Sequence, residues 1–168
     1  MLLPHEIFAK MPVETALGLF HFLQENEKPL YQTAVNSLAQ QRKFRPIFIT
    51  RKPRKEQHLW VREQISRKAN ADLAAHLLQI WLVSAHKQLL CDFLDGFGIP
   101  HDENGTIETL PAPPAKELVA GVVNNLLTRY DATLLAVYLH AFQGIDGTGW
   151  PTLGEVLAED PRLQLGAS

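Results

Sequence analysis

Apolar residues recur along this chain mostly at helical spacing. The longest such stretch, from Ala71 to Leu94, contains no Pro and no Gly and consists mostly of strong helix formers. It predicts one helix over residues 71–95, about six turns long. Its apolar residues cover most of the circumference, which is the pattern of a helix packed on several sides. Asn70 is placed to cap it, and Asp72 suits the positive end of its dipole. Asp95-Gly96-Phe97-Gly98 stops it.

The flanking segments read in the same way. Pro4 and Pro12 sit where a first-turn proline is tolerated, predicting helices near residues 4–10 and 12–25. In the second, Val13, Ala16, Leu17, Phe20 and Leu23 form the inward face, widened by Leu19 and Phe22. A third helix, 29–43, carries Leu30, Ala34, Val35, Leu38 and Ala39, and the two form an αα-hairpin. Residues 44–50, Phe-Arg-Pro-Ile-Phe-Ile-Thr, are β-branched and aromatic, so an extended connector or a lone edge strand is expected. Pro53 opens a helix to residue 68 with Leu59, Trp60 and Ile65 facing inward. Residues 99–114 hold Pro100, Pro111, Pro113, Pro114 and the Asn104-Gly105 turn signal, marking a long connector. Helices follow over 114–129, with Leu118, Val119, Val122, Val123 and Leu126 inward, and over 132–142, capped by Asp131 and ended by Gly144. A short helix through Ala158 opens with capping-box spacing, Thr152 to Glu155.

The fold class is therefore all-α: a multi-helix bundle or short helical-hairpin array around the long central helix, with little or no β-structure. The first 95 residues resemble solenoid units in spacing alone, and no repeat of fixed period emerges. An N-terminal layer (1–98), a Pro-rich connector (99–114) and a smaller C-terminal part (115–168) are expected to pack as one domain, both parts resting on residues 71–95.

Composition adds limits. At 168 residues, 46% hydrophobic and 20% charged, the chain can bury a core without metal or disulfide. Cys91 is its only cysteine, which suits a reducing compartment. The N-terminus lacks an export pattern, so a cytoplasmic protein is expected. Asp72, His76, Gln79, His86, Lys87 and Gln88 interrupt the central helix, so no membrane partner is expected.

Charge changes the picture most. The net charge is −2, but the balances over residues 1–41, 42–68, 69–94 and 95–168 are −2, +8, −1 and −7. The basic segment holds Arg42, Lys43, Arg45, Arg51, Lys52, Arg54, Lys55, Arg62, Arg67 and Lys68, interleaved with Phe44, Phe48, His58 and Trp60. Beside incidental solvated charge, two readings of it stand. It docks on an acidic surface, of its own chain or another, with Phe44, Ile47, Phe48 and Trp60 as core. Or its cations neutralise phosphates while exposed aromatics stack on bases.

Catalytic patterns are sparse. His76 and His86 are separated by about 15 Å of rise and about 80° of rotation, too far to share a metal ion. Asp72, His76, Gln79 and His86 form a polar stripe that reads as the helix's solvent edge. Cys91 lacks a CxxC partner and reads as a small buried residue. Residues 101–108 imitate the middle of a calcium loop, but Pro100 and Pro111 occupy the first and last ligand positions, which excludes an EF-hand. The run Gly144 to Gly149 follows a helix and lacks a lysine, so it reads as a turn. The densest reactive set is His86, Cys91, Asp92, Asp95, His101, Asp102 and Glu103.

The function these patterns point to is non-catalytic: a helical interaction or scaffold protein that binds another protein, or itself, through a basic face (42–68) and an acidic C-terminal part. Two alternatives stand beside it. One is nucleic-acid binding through residues 42–68. The other is an enzyme or small-ligand pocket near residues 86–103. No cofactor or metal is expected, and no spacing demands catalysis.

Overall fold

The computed structural model describes residues 1–145 and 149–166. Among them the chain forms ten α-helices and no strand. They are α1 (Pro4–Lys10), α2 (Val13–Asn26), α3 (Lys28–Gln41), α4 (Ile47–Thr50), α5 (Arg54–Ile65), α6 (Ala71–Ala85), α7 (Lys87–Gly96), α8 (Lys116–Leu127), α9 (Ala132–Gly144) and α10 (Pro151–Glu159). The all-α bundle expected from periodicity is what forms. No helix among the described residues is long and apolar enough to cross a membrane.

The expected 71–95 helix is two helices. His86, at φ −134° and ψ 31°, ends α6 and begins α7. The buried stripe of α6 is Ala74, Leu77, Leu78, Trp81 and Leu82, whereas that of α7 is Leu89, Leu90, Phe93 and Leu94. Continued at helical period, the first stripe would reach Ala85, Leu89 and Asp92, so the break advances the buried face by about one residue. That turn brings Phe93 into a cluster with Tyr138, Phe142 and Trp150, at ring separations of 5.3, 5.1 and 6.0 Å. The His86 ring packs edge-on against Trp81 at 4.8 Å. Asp72, His76 and Gln79 are exposed, as the solvent-edge reading has it, but His86, the fourth residue of that stripe, is half-buried.

The axle of the fold is α9. Leu135 to Leu139, Ala141, Gln143 and Gly144 are all buried, so the helix is covered on nearly every side. It packs on α1 and α6 in the N-terminal layer and on α8, α10 and the final turn Pro161–Leu163. Both halves thus meet on α9 as well as on α6 and α7, a correction to the single central helix. Asp131 accepts a hydrogen bond from Leu134 N at 3.0 Å, the expected N-cap.

Other local expectations change. Residues 44–50 are neither extended nor a strand: Ile47–Thr50 is a single helical turn. The Asn70 side chain does not cap α6; it donates to Gln64 O and accepts from Gln41 Nε2, at 2.8 and 2.7 Å. Trp150, not Thr152, precedes α10, because Pro151 takes the first helical position, so the capping box does not form. In α5 the inward face is Gln57, His58, Val61, Gln64 and Ile65, with Leu59 exposed and Trp60 half-buried. The turn read at Asp146, Gly147 and Thr148 lies outside the described residues.

The 99–114 connector is pinned to the body. After α7, Gly98 adopts φ 67° while Ile99 N and Gly98 N donate to Leu94 O and Asp95 O, both at 3.0 Å, a Schellman stop. Trp150 Nε1 donates to Pro111 O at 3.2 Å. Gly105, at φ 75°, lies so close to α7 that a Cβ there would meet Leu90 Cβ at 2.5 Å.

Phe93 is fully buried at the centre of the aromatic cluster. Phe93→Ala is therefore expected to lower unfolding free energy by about 3–5 kcal/mol, measured by urea denaturation followed by circular dichroism.

Candidate functional site

The sharpest exposed feature is the corner between α3 and α5. Residues 42–55 carry seven basic side chains and no acidic one. Within the segment Phe44, Ile47 and Phe48 are 46%, 45% and 60% exposed, unusual values for three large apolar residues at helical spacing i, i+3, i+4. Arg42, Lys43, Arg45, Arg51, Lys52 and Lys55 are exposed and, among the described residues, form no ion pair within 4.0 Å. Arg54 differs: its guanidinium meets Glu25 Oε1 at 2.6 Å and donates to His21 Nδ1 at 3.0 Å.

Arg62 also differs from its sequence reading as part of a partner-binding face. It is half-buried and donates to the carbonyls of Ala9 and Met11, at 3.1 and 3.0 Å, where α1 ends. It neutralises that helix terminus from within the fold. Of the eight basic residues singled out from sequence, six point outward unpaired, and Arg54 and Arg62 are committed inside the chain.

The corner stands on a polar mount. His58 Nε2 donates to Gln24 Oε1 at 2.8 Å, and Gln24 Nε2 reaches Gln57 Oε1 at 3.4 Å. Tyr31 donates its hydroxyl to the same Gln57 oxygen. Gln57 Nε2 in turn donates to Ile49 O at 3.2 Å, in the short α4 turn. Ile49 is buried, while its neighbours on either side face out. One apolar side chain and one amide hydrogen bond therefore seat α4 on α5 and leave Phe44, Ile47 and Phe48 outside. Burial, then the nearby Arg54 and His21, lowers the His58 pKa to about 4. Burial holds the Tyr31 phenol well above its usual range.

Lys43 carries backbone strain. It closes α3 at φ 58°, the left-handed position where glycine is the low-energy residue. Phe44 N and Lys43 N donate to Ala39 O and Gln40 O, at 2.9 and 3.0 Å, so the stop is fully formed around a lysine.

The 86–103 set does not converge on one centre. His86 faces Trp81, and burial lowers its pKa. The Asp92 carboxylate is taken up by Tyr130, Gln88 and Arg129. Burial opposes its ionisation, but those hydrogen bonds and the cation outweigh it and hold the carboxyl below its usual range. Partial burial first, then Asp95, Asp92 and Asp102, push the Cys91 thiol up, the reverse of what a nucleophilic thiolate needs. His101 donates from both ring nitrogens, to Asp102 O and to Asp95 Oδ1, the latter at 2.6 Å. The backbone carbonyl, and next the Asp95 carboxylate, raise its pKa. Asp102 Oδ1 accepts from Asn104 N and Thr106 N, both at 2.9 Å, closing the loop on itself. Among the described residues, no group of three or more His, Cys, Asp or Glu could hold a metal ion.

What does lie beside this set is a groove of about 870 Å³ along the connector, from Phe97 to Leu118. Phe97 and Ile107 are half-buried in it, and Leu118 is 48% exposed. Sequence reading put Leu118 inside the bundle; of the pocket residues it named, His101 and Asp102 line this groove and His86, Cys91, Asp92 and Asp95 do not. The groove's wall at Pro111 is held by Trp150, across a long sequence separation.

Two outcomes are expected. Lys43→Gly relieves the left-handed strain and stabilises the fold by about 1 kcal/mol in urea denaturation. His58 is neutral when folded and takes up a proton on unfolding, so its contribution is intact above pH 6.5 and lost as pH falls towards 4. Between about pH 7 and 4.5 the wild type should lose about 2 kcal/mol more stability than His58→Gln, read from paired urea titrations. Compared with protein-family models, with curated proteins and with solved structures, the chain matches none.

Proposed function

We propose that this chain is a non-catalytic interaction module that binds another protein through the corner at residues 42–55. The observation that carries this reading is the exposed apolar trio Phe44, Ile47 and Phe48, flanked by unpaired cations and seated on a buried polar mount. Apolar surface at the centre of a contact supplies affinity, and surrounding charge supplies orientation and on-rate. A strained lysine at the edge of the corner fits the same reading, since strain of this kind gathers where recognition is made. The partner surface is acidic with apolar residues between its carboxylates.

Nucleic acid satisfies these features less well. Ile47, between the two phenylalanines, cannot stack on a base, and the net charge of −2 weakens the attraction of a polyanion to the basic segment.

A titration separates the two readings. A fluorescein-labelled helical peptide of Glu and Leu, and a single-stranded oligonucleotide of equal charge, are followed by anisotropy at about 50 and 200 mM salt. The peptide is expected to bind more tightly. Phe48→Ala should weaken it about tenfold, and Lys43→Gly should weaken it while raising fold stability. Preference for the oligonucleotide would move the assignment to nucleic-acid binding. Failure of both probes at low salt would remove the corner from consideration.

A further inference from the structure

Resting on the reading of the corner as a protein-docking surface, we infer that its occupant is a second copy of this chain, whose connector groove receives Phe44, Ile47 and Phe48. The groove is the corner's complement in shape and in sign. Its floor offers Phe97, Ile107 and Leu118, and its lining includes the exposed carboxylates of Asp102 and Glu108. Residues 95–118 hold five carboxylates, Lys116 and His101. His101, which also lines the groove, is paired with Asp95. Lys116 is spent within the chain, 2.6 Å from Glu159 and 3.9 Å from Glu155. The groove therefore presents an apolar floor with a negative rim, and the corner an apolar tip with a positive rim.

The groove is also preformed. Trp150 fixes it at Pro111, the Asp102 turn fixes its outer loop, and Gly105 against Leu90 fixes its base. Little ordering entropy remains to oppose binding. A chain does not fill its own groove. No residue of 42–55 lines it, and among the described residues no hydrogen bond or ion pair joins 42–55 to 97–118. Because tip and groove are different surfaces, each copy offers one of each. Two copies that exchange both contacts close as a two-fold dimer, and one contact per neighbour gives a ring or an open chain.

Mixing two variants tests this directly. Phe48→Asp removes the tip and spares the groove. The double substitution Glu108→Lys with Leu118→Lys blocks the groove and spares the tip. All three positions are exposed, and circular dichroism confirms folding. In sedimentation velocity at about 50 mM salt the wild type should grow in mass with concentration, and the growth should shrink at about 300 mM. Each variant alone should stay monomeric, while an equimolar mixture should form pairs and nothing larger. A wild type that remains monomeric at every concentration overturns the inference, yet leaves the peptide-binding reading intact. Self-association that the mixture fails to restore overturns it as well, since the contact would then lie elsewhere.

Discussion

The packing around Phe93 is the constraint on which the rest of the molecule hangs. Phe93 touches Phe97 just past the end of its own helix, Tyr138 and Phe142 on α9, and Trp150 before α10, so one ring joins the two halves of the chain. It reaches that position only because His86 interrupts the helix before it. The interruption costs helical hydrogen bonds, and the return is a desolvated cluster of five aromatic side chains. Trp150 extends the cluster outward: its indole N–H holds Pro111, and with it the wall of the groove. An apolar core thus dictates the shape of a surface feature more than 30 residues away in sequence.

The interior around α5 works by a different rule. Gln57, His58 and Asn70 are buried there, and each makes a side-chain hydrogen bond, as most buried polar groups do. Gln24, Tyr31, Gln57 and His58 satisfy one another across α2, α3 and α5, with the Ile49 carbonyl as the end of the line. Such a network is directional where an apolar contact is not, so it fixes where α4 sits and how it is turned. A greasier α5 would have drawn Phe48 inward.

Most helices were legible because their apolar spacing survives in the fold. In α8, Val119, Val122, Val123 and Leu126 are buried as the pattern implies. Two of the misreadings have their physical origin in long-range contacts. The break at His86 follows no Pro or Gly; it is imposed by the partners of Phe93. The inward face of α5 was sought among Leu59 and Trp60 because hydropathy carries no information about a glutamine whose amide is satisfied from another helix. Residues 44–50 were read as extended from β-branching and Pro46, although Phe44, Ile47 and Phe48 already had helical spacing. The basic character of 42–55 was plain in the sequence. That its aromatic residues stand outside was not, because exposure depends on Gln57 reaching Ile49.

The slender attachment of α4 has a consequence for how this protein can change. Core residues hold the fold, and α4 adds to it little beyond Ile49. Replacement of Phe44, Ile47 or Phe48 leaves no cavity and strands no buried polar group. Variation there costs the fold less than variation in the core, so the surface of the corner can change one residue at a time while the body stays fixed.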